Sequence, residues 1–273
     1  MRLLSMAIVA LWIGCGAAQA AKPEPVKAEL LADVTAIQPG MTFDVGVRLT
    51  MEEGWHVYWQ NPGDAGLPTK VEWKVPPGFK VKALDYPTPV RFDQPGGVVG
   101  HGYRDSLMLI AKVTAPADLK PGSTIEITAN TKWLVCKDVC LPGKAAVTVK
   151  LPAGGTSKQD NRELFTSWLE QVPVDATEAA DVTAANDNAG RVITLKWHAP
   201  ATNVQVFSVP GDAYLIKDVK ADTAGQTSTI RYTTEQLDKS AGPVEMTVVV
   251  AYDDASGRRR SVRLMEPLGP SKP

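Results

Sequence analysis

Thr124-Ile125-Glu126-Ile127-Thr128-Ala129-Asn130-Thr131-Lys132-Trp133-Leu134-Val135 leads directly into Cys136-Lys137-Asp138-Val139-Cys140-Leu141-Pro142-Gly143. The first part is a β-rich run, and Pro142-Gly143 is a turn signal. Between them stand two of the sequence's three cysteines, separated by three residues. Two thiols this close can close a small ring, bind a soft metal or exchange electrons with another protein. The rest of the sequence reads as a scaffold for this pair or as a second module beside it.

Upstream the pattern is β from Val26 to Pro152. Thr42 to Thr50 alternates apolar and polar residues, the period of a strand with one face buried. Pro39-Gly40 precedes it as a turn. Trp55-His56-Val57-Tyr58-Trp59 is strand-like; with Val57 facing a core, His56 and Tyr58 point the other way. Asn61-Pro62-Gly63-Asp64-Ala65-Gly66 is a loop. Val71–Val75, Phe79–Leu84, Leu107–Thr114 and Ala145–Leu151 supply further strands. Short strands with turns between them predict an all-β antiparallel sandwich.

Downstream, Gly154-Gly155-Thr156-Ser157 reads as a linker. Lys158 to Gln171 is the one clear helix, with Leu164, Phe165, Trp168 and Leu169 on one face and Pro173 as its stop. Val174 to Gly190 is polar and reads as a hinge. From Arg191 about six more strands predict a second β-sandwich-like domain. The expected organisation is thus 1–20 targeting segment, 21–153 cysteine-bearing sandwich, 154–190 linker with an amphipathic helix, and 191–273 second β domain.

With 29 basic against 30 acidic residues, no charge bias points to nucleic acid or an anionic surface. The N-terminus reads as a secretory signal: Arg2, an apolar run from Leu3 to Ile13, and Ala18-Gln19-Ala20 as the cleavage site. Cys15 then departs with it. The competing reading, a lipoprotein acylated at Cys15, meets a bulky Trp12 where small aliphatic residues are usual. No later stretch is long and apolar enough to span a bilayer. The expectation is an exported periplasmic protein, where a close cysteine pair is normally oxidised.

Three readings of Cys136 and Cys140 stay open on residues alone. A three-residue spacing closes a small ring, which stabilises a fold less than a long one, and that favours exchange over a staple. One inert disulfide is nevertheless common in exported proteins. Cu(I) would suit two thiolates, with Met108, His56 and His101 in the same half, but none of these lies close to the pair in sequence. His198 receives no role. No hydrolase triad or phosphate loop is evident, and Arg258-Arg259-Arg260 reads as a solvated turn.

Three separated motifs carry a resemblance. Gly54 to Thr69 (Gly-Trp-His-Val-Tyr-Trp-Gln-Asn-Pro-Gly-Asp-Ala-Gly-Leu-Pro-Thr), Gly102-Tyr103-Arg104-Asp105, and Trp133 to Pro142 resemble the N-terminal periplasmic domain of DsbD-type thiol:disulfide interchange proteins. The likeness is to the copper-sensitivity-suppressor branch and covers about residues 26–152. It implies an immunoglobulin-like sandwich with Cys136 and Cys140 as the exchanging pair. The implied activity is that of a protein-disulfide reductase or interchange component, without cofactor or metal. The implied partners are a thioredoxin-like or membrane reductant and oxidised periplasmic proteins. The family's cap loop would fall near Asp93 to Val99. The pair is closer-spaced than in the best-known members, and no aromatic stands in Gln94-Pro95-Gly96-Gly97. Neither a transmembrane domain nor a thioredoxin-like domain is evident, so the reductant is expected to be a separate protein. The alternatives are a binding module braced by an inert disulfide and a Cu(I)-binding copper-stress protein.

Overall fold

The structure is a computed structural model that describes residues 24–94, 96–187, 190–209, 213–238, 240 and 244–268. The signal-like segment with Cys15 and the position after Ala20 lies outside them, as does Pro95.

The first half is built from ten strands. In chain order they are β1 (Val26–Ala32), β2 (Thr42–Met51), β3 (His56–Gly63), β4 (Lys70–Lys74) and β5 (Lys80–Ala83). They continue as β6 (Val90–Gln94), β7 (Val98–Arg104), β8 (Ser106–Thr114), β9 (Thr124–Cys136) and β10 (Cys140–Pro152). Two antiparallel sheets result, β1-β2-β8-β5 and β10-β9-β3-β7-β6, with β4 also on β9. Alternation decides what each strand buries. Phe43, Val45, Val47 and Leu49 of β2 and Ile125, Ile127, Ala129 and Val135 of β9 enter one core cluster. Strand β10 forms one edge of the larger sheet. It carries Pro142 and Pro152, and Lys144 and Lys150 project from it into solvent.

Helix α1 (Arg162–Leu169) is shorter than the sequence predicts. The residues before it are used elsewhere: Gln159 bridges Val34, the Lys158 carbonyl accepts from Thr35, and Asn161 donates its side-chain amide to the Ala32 carbonyl. Phe165 and Trp168 bury into the first core.

The polar stretch expected to be a hinge instead contributes β11 (Val174–Asp175), a 3-10 turn and β12 (Ala180–Asp187). β12 pairs along its whole length with β13 (Gly190–Trp197). As an outer strand it leaves most side chains in water, so its sequence lacks the apolar alternation that marks a strand. The remaining strands are β14 (Thr202–Val209), β15 (Tyr214–Ala224), β16 (Thr227–Gln236), β17 (Val244–Asp253) and β18 (Arg259–Leu268). They form the sheets β11-β18-β17-β14 and β12-β13-β16-β15.

β17 is buried on both faces, which explains its continuous apolar run. Met246, Val248 and Val250 face the second core, while Val249 and Ala251 join the first. Phe207 of β14 does the same, meeting Trp59 edge-on with ring centroids 5.9 Å apart. The two halves are therefore packed, not strung on a tether.

Across the second sandwich, Arg191 places Nε 3.0 Å and Nη2 2.8 Å from the Glu266 carboxylate. Only 7% of the Glu266 side chain is exposed. Arg191→Met strands that carboxylate, and a loss of about 3–5 kcal/mol is expected in urea unfolding. Adding Glu266→Leu should restore most of it; a single variant within about 1 kcal/mol of the parent would show the pair to be idle.

Candidate functional site

The β9–β10 hairpin puts Cys136 and Cys140 opposite one another as cross-strand partners. They are joined by a disulfide with Cα atoms 4.2 Å apart. Lys137-Asp138-Val139 forms the tip, closed by the Lys137 amide donating to the Val139 carbonyl. The Lys137 ammonium donates to the Glu53 carbonyl at 3.1 Å, which ties the tip to the turn before β3.

The ladder extends this pair into a row across four strands. Cys140 pairs with Cys136, Cys136 with His56, and His56 with Arg104. Directly opposed residues of an antiparallel pair project from the same face, so these four side chains follow one another along the row. Tyr58, two residues on from His56, shares that face, while Val57 and Trp59 turn into the core.

The two sulfurs live in different surroundings. Cys136 is 3% exposed and clusters with Tyr58, Phe92 and Leu134. Cys140 is exposed, beside a Val139 that is 58% exposed.

Phe92 packs in one buried cluster with Cys136 and Tyr58, an aromatic beside the cysteine that Gln94-Pro95-Gly96-Gly97 lacks. It stands on β6, just before the segment expected to form the cap. Its ring lies 4.4 Å from that of His56 and 6.0 Å from that of Tyr58, with the Arg104 guanidinium carbon 5.6 Å from its centroid. Gly100, its ladder partner, makes the room: a Cβ there would come within 2.2 Å of the Phe92 ring. The Asn61–Gly66 stretch has a similar use. Its Gly66, at φ 118°, lies so close over the Tyr58 ring that a Cβ would approach to 2.5 Å.

His56 Nε2 lies 3.4 Å from the Tyr58 hydroxyl, and Gln94 donates its amide to the same hydroxyl at 3.3 Å. Burial, and then the Arg104 charge, hold His56 below the ordinary histidine value.

The other sequence candidates lie elsewhere. Met108 is fully buried on β8, in the other sheet, against Gly46. His101 packs edge-on against Phe207 at 5.1 Å, between the halves. His198 sits 3.3 Å from Asp181 in the second half. Trp133, the aromatic of the cysteine motif, faces the first core, because it is one residue out of phase with Leu134 and Cys136. Among the described residues no group of three or more His, Cys, Asp or Glu is placed to hold a metal. Sequence reading missed Phe92, whose place depends on the β6–β7 register, and gave Arg104 no role beyond its place in the Gly102–Asp105 motif.

Residues 22–152 match the family model of the N-terminal region of the thiol:disulfide interchange protein DsbD. This segment belongs to that family. No curated protein matches the chain. Among solved structures, the N-terminal periplasmic domain of ScsB from Proteus mirabilis is 15% identical with a TM-score of 0.64. The match covers 90% of this chain and 94% of that one, so the likeness in fold takes in both halves. The DsbD N-terminal domain of Neisseria meningitidis in its reduced form is 12% identical over 48% of this chain and 89% of its own. Its TM-score of 0.23 is too low to build on.

Proposed function

We propose that the DsbD-type segment is a thiol–disulfide exchange module working outside the cytoplasm, with Cys136 and Cys140 as its redox couple. The observation that carries this reading is the asymmetry of the disulfide. A brace needs neither sulfur reachable, whereas exchange needs one in water and the other ready to leave or close. Cys140 is exposed and Cys136 is enclosed.

In the loading direction a partner thiolate attacks Cys140 Sγ, and the electron pair of the broken S–S bond goes to Cys136 Sγ. A second partner thiolate then attacks the partner sulfur of that mixed disulfide, and Cys140 Sγ leaves with the electron pair, so the pair is left as a dithiol and the partner as a disulfide. Delivery to an oxidised protein runs the same two displacements in reverse, moving two electrons. The chemistry calls for a dithiol reductant of thioredoxin-like type on one side and oxidised exported proteins on the other.

The test is the reduction potential of the pair, equilibrated against glutathione or dithiothreitol in the folded chain. A value between roughly −120 and −270 mV is expected, the span of working exchange proteins. A value below about −300 mV would make the disulfide a brace.

A further inference from the structure

Cys136 sits where a thiolate is costly. Its neighbours Tyr58, Phe92 and Leu134 enclose it, and burial in such surroundings raises a thiol's pKa. Yet each turn of the exchange proposed above makes this sulfur carry charge. It leaves as thiolate when the disulfide opens, and it must lose its proton to attack Cys140 when the disulfide closes. The proton needs a place to go.

The ladder puts one acceptor beside it. His56 is the direct cross-strand partner of Cys136, on the side away from Cys140. We propose that His56 accepts the Cys136 thiol proton as that sulfur closes the disulfide, and returns it when the disulfide opens. The proposal rests on the exchange reading and deepens it.

The step balances. In the closing direction Cys140 is in mixed disulfide with the partner. Cys136 Sγ attacks Cys140 Sγ, the Cys140–partner S–S bond breaks, and its electron pair leaves on the partner sulfur. The thiol proton passes to the His56 imidazole, which later yields it to water or to the departing thiolate. The opening direction is the reverse.

The surroundings fit a base rather than a fixed cation. From β7 Arg104 faces His56; from its own strand comes Tyr58; from β9, Cys136; from the β6 hairpin, the uncharged Phe92 and Gln94. That set contains no carboxylate to hold an imidazolium in place. Burial and Arg104 keep the ring neutral at rest, which is the form that can take a proton.

The experiment uses the reduced full chain and dithiobis-nitrobenzoate, an aromatic disulfide. Attack by Cys140 releases a first nitrothiophenolate, and closure by Cys136 releases a second. His56→Gln is expected to leave the first phase within about twofold and to slow the second about thirtyfold or more near neutral pH. The pH profile of the second phase should also change, from a plateau above the histidine titration to a rise that continues to the thiol's own pKa. Arg104→Gln is the independent variant: removing the cation should move the lower limb of the parent profile to higher pH. An unchanged second phase in His56→Gln would overturn the proposal, and so would a slower phase whose pH profile keeps the parent shape. If the folded parent releases no nitrothiophenolate, the exchange reading fails, and this proposal with it.

Discussion

Cys136→Ser should start exchange and fail to finish it. Its Cys140 remains in water and still attacks an oxidised partner, but nothing behind it can displace the adduct. The reduced variant, mixed with oxidised glutathione, is expected to accumulate a one-to-one mixed disulfide by intact-mass measurement. Cys140→Ser is the opposite case. It retains only a sulfur that is 3% exposed beneath Phe92. Its reaction with an aromatic disulfide should be slower by about a hundredfold, because both access and thiolate fraction fall. Equal reactivity of the two variants would mean that the difference in burial has no bearing on which sulfur meets the partner.

Trp59→Ala is expected to cost about 3–5 kcal/mol in guanidinium unfolding, a large share of a typical total of about 5–15 kcal/mol. Trp59 is fully buried and meets Phe207 edge-on. Its indole N–H has no hydrogen-bond partner among the described residues, so the expected loss is one of packing. Trp59→Phe keeps most of that volume and should cost much less. Paired with Phe207→Ala in a double-mutant cycle, Trp59→Ala should show a coupling of about 0.5–1.5 kcal/mol. A change below about 1 kcal/mol for Trp59→Ala would mean that the two halves lean on each other only lightly.

The residues that face a core were legible in the sequence, because period-two alternation is a local signal. Val57 and Trp59 turn into the main core and His56 and Tyr58 to the opposite face, as the pattern around them predicts, although Phe92 and Cys136 bury Tyr58 there. The cysteine hairpin was not legible: the turn expected at Pro142-Gly143 lies inside β10, paired with Leu134 and Trp133, and the chain reverses instead at Lys137-Asp138-Val139. What alternation cannot give is register between strands distant in sequence. That His56 stands beside Cys136 depends on β3 pairing with β9 across more than seventy residues, and no spacing rule reports it. Phe92 was hidden for the same reason: its place over the cysteine is set by β6 pairing with β7. The hinge expected at Val174 to Gly190 failed differently. A solvent-facing edge strand such as β12 buries too little to look like one.

The position of β10 has a consequence for the company this molecule keeps. The exposed cysteine opens a long strand whose outer margin is hydrogen-bonded to no other strand among the described residues. Such a margin invites any extended chain to add itself as a further strand, and the proposed exchange role would bring such chains to it. Pro142 and Pro152 are an even number of residues apart, so neither offers a donor to the same side of the ribbon. Lys144 and Lys150 place charge between them. Visitors therefore find a sulfur to react with but a poor seam to zip onto, which favours short encounters and release over capture.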